Sequence, residues 1–290
     1  MNRLKYILWD PIKGIELGFF TIHFYSLMFV LAFLCGWGIM NQIYDTEKVD
    51  KKHLDSLLLY TVLGTLIGAR LGQVFFYDLP YFKNHWMEAL LPIRERQDTY
   101  FMGIFKDYEF IGYRGLASHG ATLGLILSSW LYSKRILHKP FLWICDRICI
   151  PVALGGMFVR IGNFFNSEIV GKPKDLPWAV KFMQMDEEYG EIVPRHPAQL
   201  YESLGYLCIF LIIYFIYRKT NKKYYLGYMF GLFFTLLWSV RFLTEFIKEP
   251  QGHEILYTSM LNTGQLLSIP FIIIGLFLMA TGGKRKFNLP

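Results

Sequence analysis

Three side chains in this sequence stand where ionisable groups are costly to place: Arg160, Arg241 and His119. Arg160 opens the stretch Arg160-Ile161-Gly162-Asn163-Phe164-Phe165-Asn166-Ser167-Glu168-Ile169-Val170-Gly171, directly after the apolar run Ile144 to Val159. Arg241 precedes Glu245 by four residues, the spacing that puts two side chains on one helix face. His119 lies in Ser118-His119-Gly120-Ala121, at the start of another apolar run. An ionisable group inside a hydrocarbon-length segment marks a functional site by default. A plain alternative exists for each. Arg160 could snorkel to headgroups, Arg241 could lock its helix by pairing with Glu245, and His119 could be a polar interface residue.

The chemistry these residues favour is specific. Two guanidinium groups in a low-dielectric cleft suit a phosphate, because each keeps its charge and makes paired hydrogen bonds to phosphate oxygens. At the outer leaflet of an inner membrane, the available phosphate is a phospholipid headgroup. If Ser118 caps its helix, His119 sits at the positive end, where imidazolium is disfavoured and a neutral ring can accept a proton. Asn163 and Asn166 could cap carbonyls or bind substrate oxygens, while Gly162 and Gly171 suit tight backbone turns. His196 reads as a helix-start residue, with Gln199 and Glu202 bracing the bundle.

The elements that must position these groups follow from composition. The chain has 290 residues, 53% hydrophobic and only 18% charged, which excludes an ordinary soluble domain and fits a polytopic membrane protein. Seven segments are long enough to cross a bilayer: Leu17–Met40, Leu57–Tyr77, Leu116–Tyr132, Phe141–Val159, Gln199–Tyr217, Leu226–Thr244 and Met260–Thr281. Short connectors carry Lys48, Lys51, Lys52, Lys134, Arg135, Lys139, Arg218, Lys219, Lys222 and Lys223, and the tail carries Lys284, Arg285 and Lys286. These basic clusters fall on one side, which is therefore cytoplasmic. The fold class is an all-α integral membrane protein of about seven transmembrane helices, N-terminus outside and C-terminus cytoplasmic. It forms one domain over residues 1–290, with two long outward loops near 78–115 and 161–198.

This topology accounts for the formal charge of +7 without a nucleic-acid partner. The four cysteines, Cys35, Cys145, Cys149 and Cys208, lie in apolar runs without CxxC spacing, so they read as small core residues. No metal-ligand pattern is visible, and no cofactor is called for. Within the segments, Arg147 beside Asp146 reads as a local structural pair near the middle of its run. Arg70, in GTLIGARLG, either braces helices or touches substrate. The unusual polar residues converge on the outward ends: Arg160, His196 to Glu202, Arg241 with Glu245, His119, and Tyr25 in the outer half of the first segment.

The motif RIGNFFNSEIVG, with IGARLGQVFFY, LASHGATLG, LPWAVKF, HPAQLYE, RFLTEFIKEP and TGQLLSIP in order, resembles the bacterial prolipoprotein diacylglyceryl transferases across nearly the whole chain. The resemblance implies transfer of a diacylglyceryl group from phosphatidylglycerol to the lipobox cysteine of a preprolipoprotein, giving a thioether and glycerol phosphate. It implies that Arg160 and Arg241 hold the phosphate, and that His119 stands where the family has a histidine often taken as base. Tyr25, Asn163, Glu168, Gly171 and Glu245 match further positions the family depends on. It also implies a multi-pass protein of the bacterial inner membrane, with its site toward the outer leaflet and no metal or cofactor. The sequence departs from the family in Gly120-Ala121 after the histidine, in Arg114 to Ala117 before it, in His23-Phe24-Tyr25-Ser26, and in a longer 78–115 loop. A lipid transporter with an outer-leaflet anion site and a membrane scaffold are the competing readings. A transporter would favour an internal repeat and midplane broken helices; the sequence shows no repeat, and its unusual polar residues cluster near one face.

Overall fold

A computed structural model describes residues 6–16, 21–76, 78–91, 93–101, 105–110, 117–249 and 261–282. The helices among them are α1 (Phe24–Thr46), α2 (Lys52–Phe76), α3 (Leu79–Phe82), α4 (Trp86–Leu90), α5 (Ser118–Tyr132), α6 (Phe141–Phe165), α7 (Ala198–Lys219), α8 (Tyr228–Thr244) and α9 (Thr263–Gly282). The strands are β1 (Ile7–Trp9), β2 (Gly14–Glu16), β3 (Thr21–His23), β4 (Ile93–Phe101), β5 (Phe105–Phe110) and β6 (Val180–Phe182). Five helices, α1, α2, α6, α7 and α9, are long and apolar enough to cross a membrane; α8 is apolar but has 17 residues.

Seven helices follow the seven expected segments, with shifted ends. The first begins at Phe24 because Thr21–His23 pairs as β3 against β2. Leu17, Tyr77, Leu116 and Met260, at the expected limits of four segments, lie outside the described residues, as does the basic tail from Lys284. The correction that bears on the polar residues is in α6. It was expected to end at Val159, but it runs six residues further, to Phe165. Arg160 and Asn163 do not break it, because their side chains find partners on its own surface and on α7, and a polar side chain leaves the backbone ladder intact. Asp146 and Arg147 consequently sit near the start of this helix rather than at its middle.

The described residues group into two compact units, Met1–Val49 with Leu142–Pro290, and Asp50–Phe141. In the second, the small residues Gly64, Gly68 and Gly72 of α2 meet Gly120, Gly124 and Ser128 of α5. A Cβ on Gly124 would stand 2.0 Å from the Gly64 carbonyl oxygen, and one on Gly120 would stand 2.2 Å from that of Gly68. Only glycine permits this approach, the small-xxx-small logic of helices that lack a hydrophobic drive to associate. Arg70, on α2, donates from Nε to the Ala89 carbonyl at 3.1 Å and also to the Glu88 carbonyl, with its guanidinium over Phe82. It braces the α3–α4 turns, which settles its two readings in favour of structure. Strands β4 and β5 complete this unit as an antiparallel hairpin.

In the first unit, α8 and α9 pack through Gly231 and Gly275, with Trp238 stacked on Phe271 at 4.2 Å. At the other end of α8, Asp146 accepts from the backbone N–H of Gly227 (2.7 Å) and Phe230 (2.9 Å) and so caps that helix, while its Oδ2 lies 3.9 Å from Arg147 Nη1, the local pair expected of these neighbours. Arg147 also donates from Nε and Nη2 to Glu47 (3.0 Å each), from Nη2 to the Lys223 carbonyl, and lies over Trp143. The Tyr217 hydroxyl donates to Glu47 at 2.8 Å. Residue 47 therefore joins α1, α6 and α7 through one buried carboxylate. At the opposite pole, β1 pairs in parallel with β6, and Trp9 packs on Phe164, Val170, Val180 and Phe182 while its indole donates to the Phe164 carbonyl at 2.9 Å. This small core anchors the loop that leaves α6.

Candidate functional site

The loop after α6 is built around one carboxylate. Past Phe165 the chain turns through Ser167 and Ile169, both at φ +58°, a left-handed conformation that a β-branched residue adopts only under constraint. The constraint is visible. The Glu168 N–H donates to the Asn163 carbonyl at 3.0 Å, and Gln199 Nε2 donates to the Glu168 carbonyl at 2.6 Å. Asn163 Nδ2 donates to Glu168 Oε2 at 3.0 Å and Asn166 Nδ2 to Glu168 Oε1 at 2.7 Å. Both asparagines thus hold the Glu168 carboxylate, a role that the two sequence readings, capping carbonyls and binding substrate oxygens, did not include.

Arg160 is fixed next to it. One turn before the end of α6, its Nη1 donates to Asn163 Oδ1 at 3.1 Å and its Nε faces Glu202 Oε2 of α7 at 2.5 Å. Glu202 is fully buried, and its other oxygen accepts from the Thr244 hydroxyl at 3.2 Å. A guanidinium paired in this way is not snorkelling to headgroups; it is oriented by two residues on two helices. Tyr25 of α1 packs on Gly162, where a Cβ would stand 2.7 Å from its ring, and lies within electrostatic reach of Arg160 and Glu168. Tyr206, one turn past Glu202, lies within reach of Arg160, Glu202 and Arg241.

The third side of the site is the C-terminal end of α8. Glu245 does not pair with Arg241. It accepts from Lys248 Nζ at 3.2 Å, its carbonyl accepts from Asn262 Nδ2 at 3.3 Å, and Gly264 lies against its carboxyl group. Arg241 has its guanidinium 5.3 Å from the Trp238 ring, and that guanidinium makes no hydrogen bond or ion pair with any of the described residues. The site thus holds two acid–base pairs, one carboxylate satisfied by amides, and one arginine left over. A half-buried cation with no anionic partner among the described residues is a place for an anionic ligand.

Gly171 closes the loop. Its N–H donates to the His196 carbonyl at 3.0 Å, and a Cβ there would stand 2.4 Å from that oxygen. His196 Nδ1 lies 3.3 Å from the Tyr201 hydroxyl, and burial pushes the His196 imidazole below its ordinary range, with Lys174 adding to the effect. This agrees with a helix-start role for His196.

His119 belongs to the 50–141 unit, as the exposed second residue of α5. Ser118 is not the cap of that helix: the flanking residue is Ala117, which offers no side-chain acceptor, and Ser118 is already helical. Arg114 and Gly115, just upstream, lie outside the described residues. Among the described residues one group carries metal-ligand atoms close together, His85, Glu88 and Glu95. Both Glu88 oxygens there already accept, from the Tyr81 hydroxyl at 2.6 Å and from the Glu95 N–H at 2.8 Å. That grouping reads as the tie between α4 and β4.

Lys248 and Tyr206 escaped the sequence reading, and Glu202 was read as a general brace rather than as the partner of Arg160. Only Lys248 had a local signal, its i,i+3 spacing from Glu245.

The sequence model of the prolipoprotein diacylglyceryl transferases matches residues 13–281 of this chain. The chain belongs to this family. Among its relatives is the phosphatidylglycerol–prolipoprotein diacylglyceryl transferase of Bacteroides fragilis, 39% identical over 286 residues and covering 98% of both chains. The enzymes of the same name from Tolumonas auensis and Porphyromonas gingivalis are each 38% identical, over 96% and 99% of this chain and 97% and 99% of their own. Family membership therefore extends across the full set of site residues, from Tyr25 to Glu245, and across both compact units.

Proposed function

We propose that this chain transfers the diacylglyceryl group of phosphatidylglycerol to the lipobox cysteine thiol of preprolipoproteins, forming a thioether and releasing glycerol phosphate. The observation that carries the reading is the cation left over at the end of α8. Arg241 has no acidic partner among the described residues, while Arg160 in the same unit is already oriented by Glu202 and Asn163. In the reaction, sulfur attacks the glycerol carbon bearing the phosphodiester oxygen, the C–O bond breaks, and its electron pair moves onto phosphate. Preoriented guanidinium groups in a water-poor site stabilise that charge build-up. Arg160 and Arg241 hold the phosphate, and Glu168 with Asn163 fixes the loop that positions Arg160. Tyr25 lines the site, Gly171 lets its strands approach, and Glu245 places Lys248.

A cysteine thiol with an ordinary pKa of about 8.5 is only partly ionised at neutral pH, so a base aids the attack. His119, exposed at the start of α5, is the residue we assign to it. We read the chain as one polytopic domain with seven spans, adding α5 and α8 to the five long helices. The N-terminus and the two long loops face outward, and the C-terminus is cytoplasmic. The protein resides in the bacterial inner membrane, with the site near the outer leaflet and with phosphatidylglycerol and lipobox-bearing precursors as its partners.

The test uses purified protein in phosphatidylglycerol vesicles with a lipobox peptide, read by mass spectrometry. A diacylglyceryl adduct is expected on the cysteine, lost with a Cys→Ser peptide and with Arg160→Ala protein. No adduct from folded protein across several peptides would overturn the reading.

A further inference from the structure

Lys248 is the one lysine carried into the polar site, and the fold takes trouble to carry it there. After α8 ends at Thr244 the chain turns and lies antiparallel to the loop from α6, with residue 248 bridged to Gly171. The Lys172 N–H donates to the Ile247 carbonyl at 2.8 Å, and the Glu249 N–H donates to the Val170 carbonyl at 3.0 Å. The absent side chain of Gly171 permits this approach, since a Cβ there would stand 3.0 Å from the Ile247 oxygen. The backbone of Lys248 is thereby locked to the same loop that presents Glu168.

Its side chain is buried, only 6% exposed, and among the described residues its ammonium makes one hydrogen bond, to Glu245 at 3.2 Å. An ammonium has three donors, and burying one with donors unused is unfavourable. Four charged groups face it: Glu202 from α7, Arg160 from α6, and Arg241 and Glu245 from α8 and its end. This is the same set that surrounds the proposed phosphate position.

The balance of the reaction gives the remaining donors a purpose. The thiol proton goes to the base, sulfur forms a bond to the glycerol carbon, and the C–O bond to phosphate breaks with its electrons. A phosphodiester of charge −1 thus leaves as a monoester of charge −2. Arg160 is matched by Glu202 and Lys248 by Glu245 in the resting site, so Arg241 alone balances the bound lipid. The second negative charge then calls on cationic donors that those pairs leave unused.

We propose that Lys248 is the third cation on the leaving phosphate, holding Glu245 with one N–H and donating another to a phosphate oxygen as charge builds there. The inference rests on the transferase reading above and adds a contacting residue to it. Burial holds the Lys248 ammonium below the ordinary lysine range, with Arg160 and Arg241 pushing the same way and Glu202 and Glu245 opposing them. Its charge is therefore lost at a lower pH than that of a surface lysine.

The experiment compares wild type, Lys248→Arg and Lys248→Met in the vesicle assay across pH, with melting temperatures of each protein. Adduct formation by wild type tests the transferase reading by itself; the two variants test Lys248. Lys248→Met is expected to lower kcat about 100-fold, the effect of removing one preorganised donor from developing charge, with peptide KM unchanged. Lys248→Arg is expected to turn over at neutral pH and to hold its rate at alkaline pH where wild type falls, because arginine keeps its proton. Wild-type turnover by Lys248→Met would overturn the proposal. So would a folded Lys248→Arg protein that is inactive, which would point to proton transfer rather than charge, or one with the same alkaline fall as wild type. If Lys248→Met fails to fold, the pH profile of the arginine variant decides.

Discussion

Replacing Arg160 by lysine separates the charge of this residue from its geometry. In the site Arg160 uses two directions at once, Nε toward Glu202 at 2.5 Å and Nη1 toward Asn163 at 3.1 Å, which leaves the rest of the fork for a ligand. Lysine keeps the positive charge beside buried Glu202 and cannot reproduce the fork. Alanine is the blunter perturbation, because it strands a fully buried carboxylate, a loss of about 3–5 kcal/mol that can unfold the chain before any chemistry is measured. With lysine the ion pair persists, so the melting temperature is expected to stay close to that of wild type. What disappears is one directed, charge-assisted hydrogen bond to phosphate. Such a bond contributes about 1.5–3 kcal/mol, so kcat/KM for adduct formation is expected to fall about 10- to 150-fold. The assay is the initial rate of diacylglyceryl addition to a lipobox peptide at subsaturating peptide, beside a thermal melt of the same preparation. A folded Arg160→Lys protein within about threefold of the wild-type rate, well short of the loss of one hydrogen bond, would refute the idea that Glu202 and Asn163 orient this guanidinium for catalysis.

Three further outcomes follow from packing and charge. Arg147→Met leaves Glu47 buried without its cation and is expected to lose about 3–5 kcal/mol of stability; exchanging Glu47→Leu as well should recover part of it, and an additive double variant by denaturant titration would count against the pair. Gly124→Val places a branched side chain where a Cβ alone would stand 2.0 Å from the Gly64 oxygen. It is expected to cost about 3 kcal/mol, the upper end for overpacking, and a wild-type melt in detergent would contradict the close α2–α5 approach. His196 binds its proton less readily in the fold than in the unfolded chain. Stability is therefore expected to fall as pH drops through the ordinary histidine range near 6.5 and to be flat above it. The His196→Gln protein should lack that dependence, as melts across the range would show.

The residues of the site were legible because an apolar chain has few polar side chains inside its long runs, and each stands out. Arg160, Arg241, Glu202 and Glu245 could be picked by that criterion alone, and the five long apolar helices follow from the same runs. Their pairing was not legible, and the reason is geometric. Neighbours in sequence point about 100° apart on a helix, so Asp146 and Arg147, whose charged ends lie 3.9 Å apart, each take a further partner: one caps α8, the other reaches Glu47, 100 positions away in the chain. Glu47 itself sits in a charged connector, where a carboxylate reads as solvated; only the folded chain shows it buried at 4% exposure. Glu245 keeps a helical backbone and the i,i+4 spacing from Arg241, yet its carboxylate pairs forward, with Lys248 at i+3. That exchange sets the charge of the site. Had Glu245 paired with Arg241, buried Lys248 would have lost its carboxylate. Because Glu245 is matched to Lys248 instead, Arg241 is the site cation without an acidic partner among the described residues.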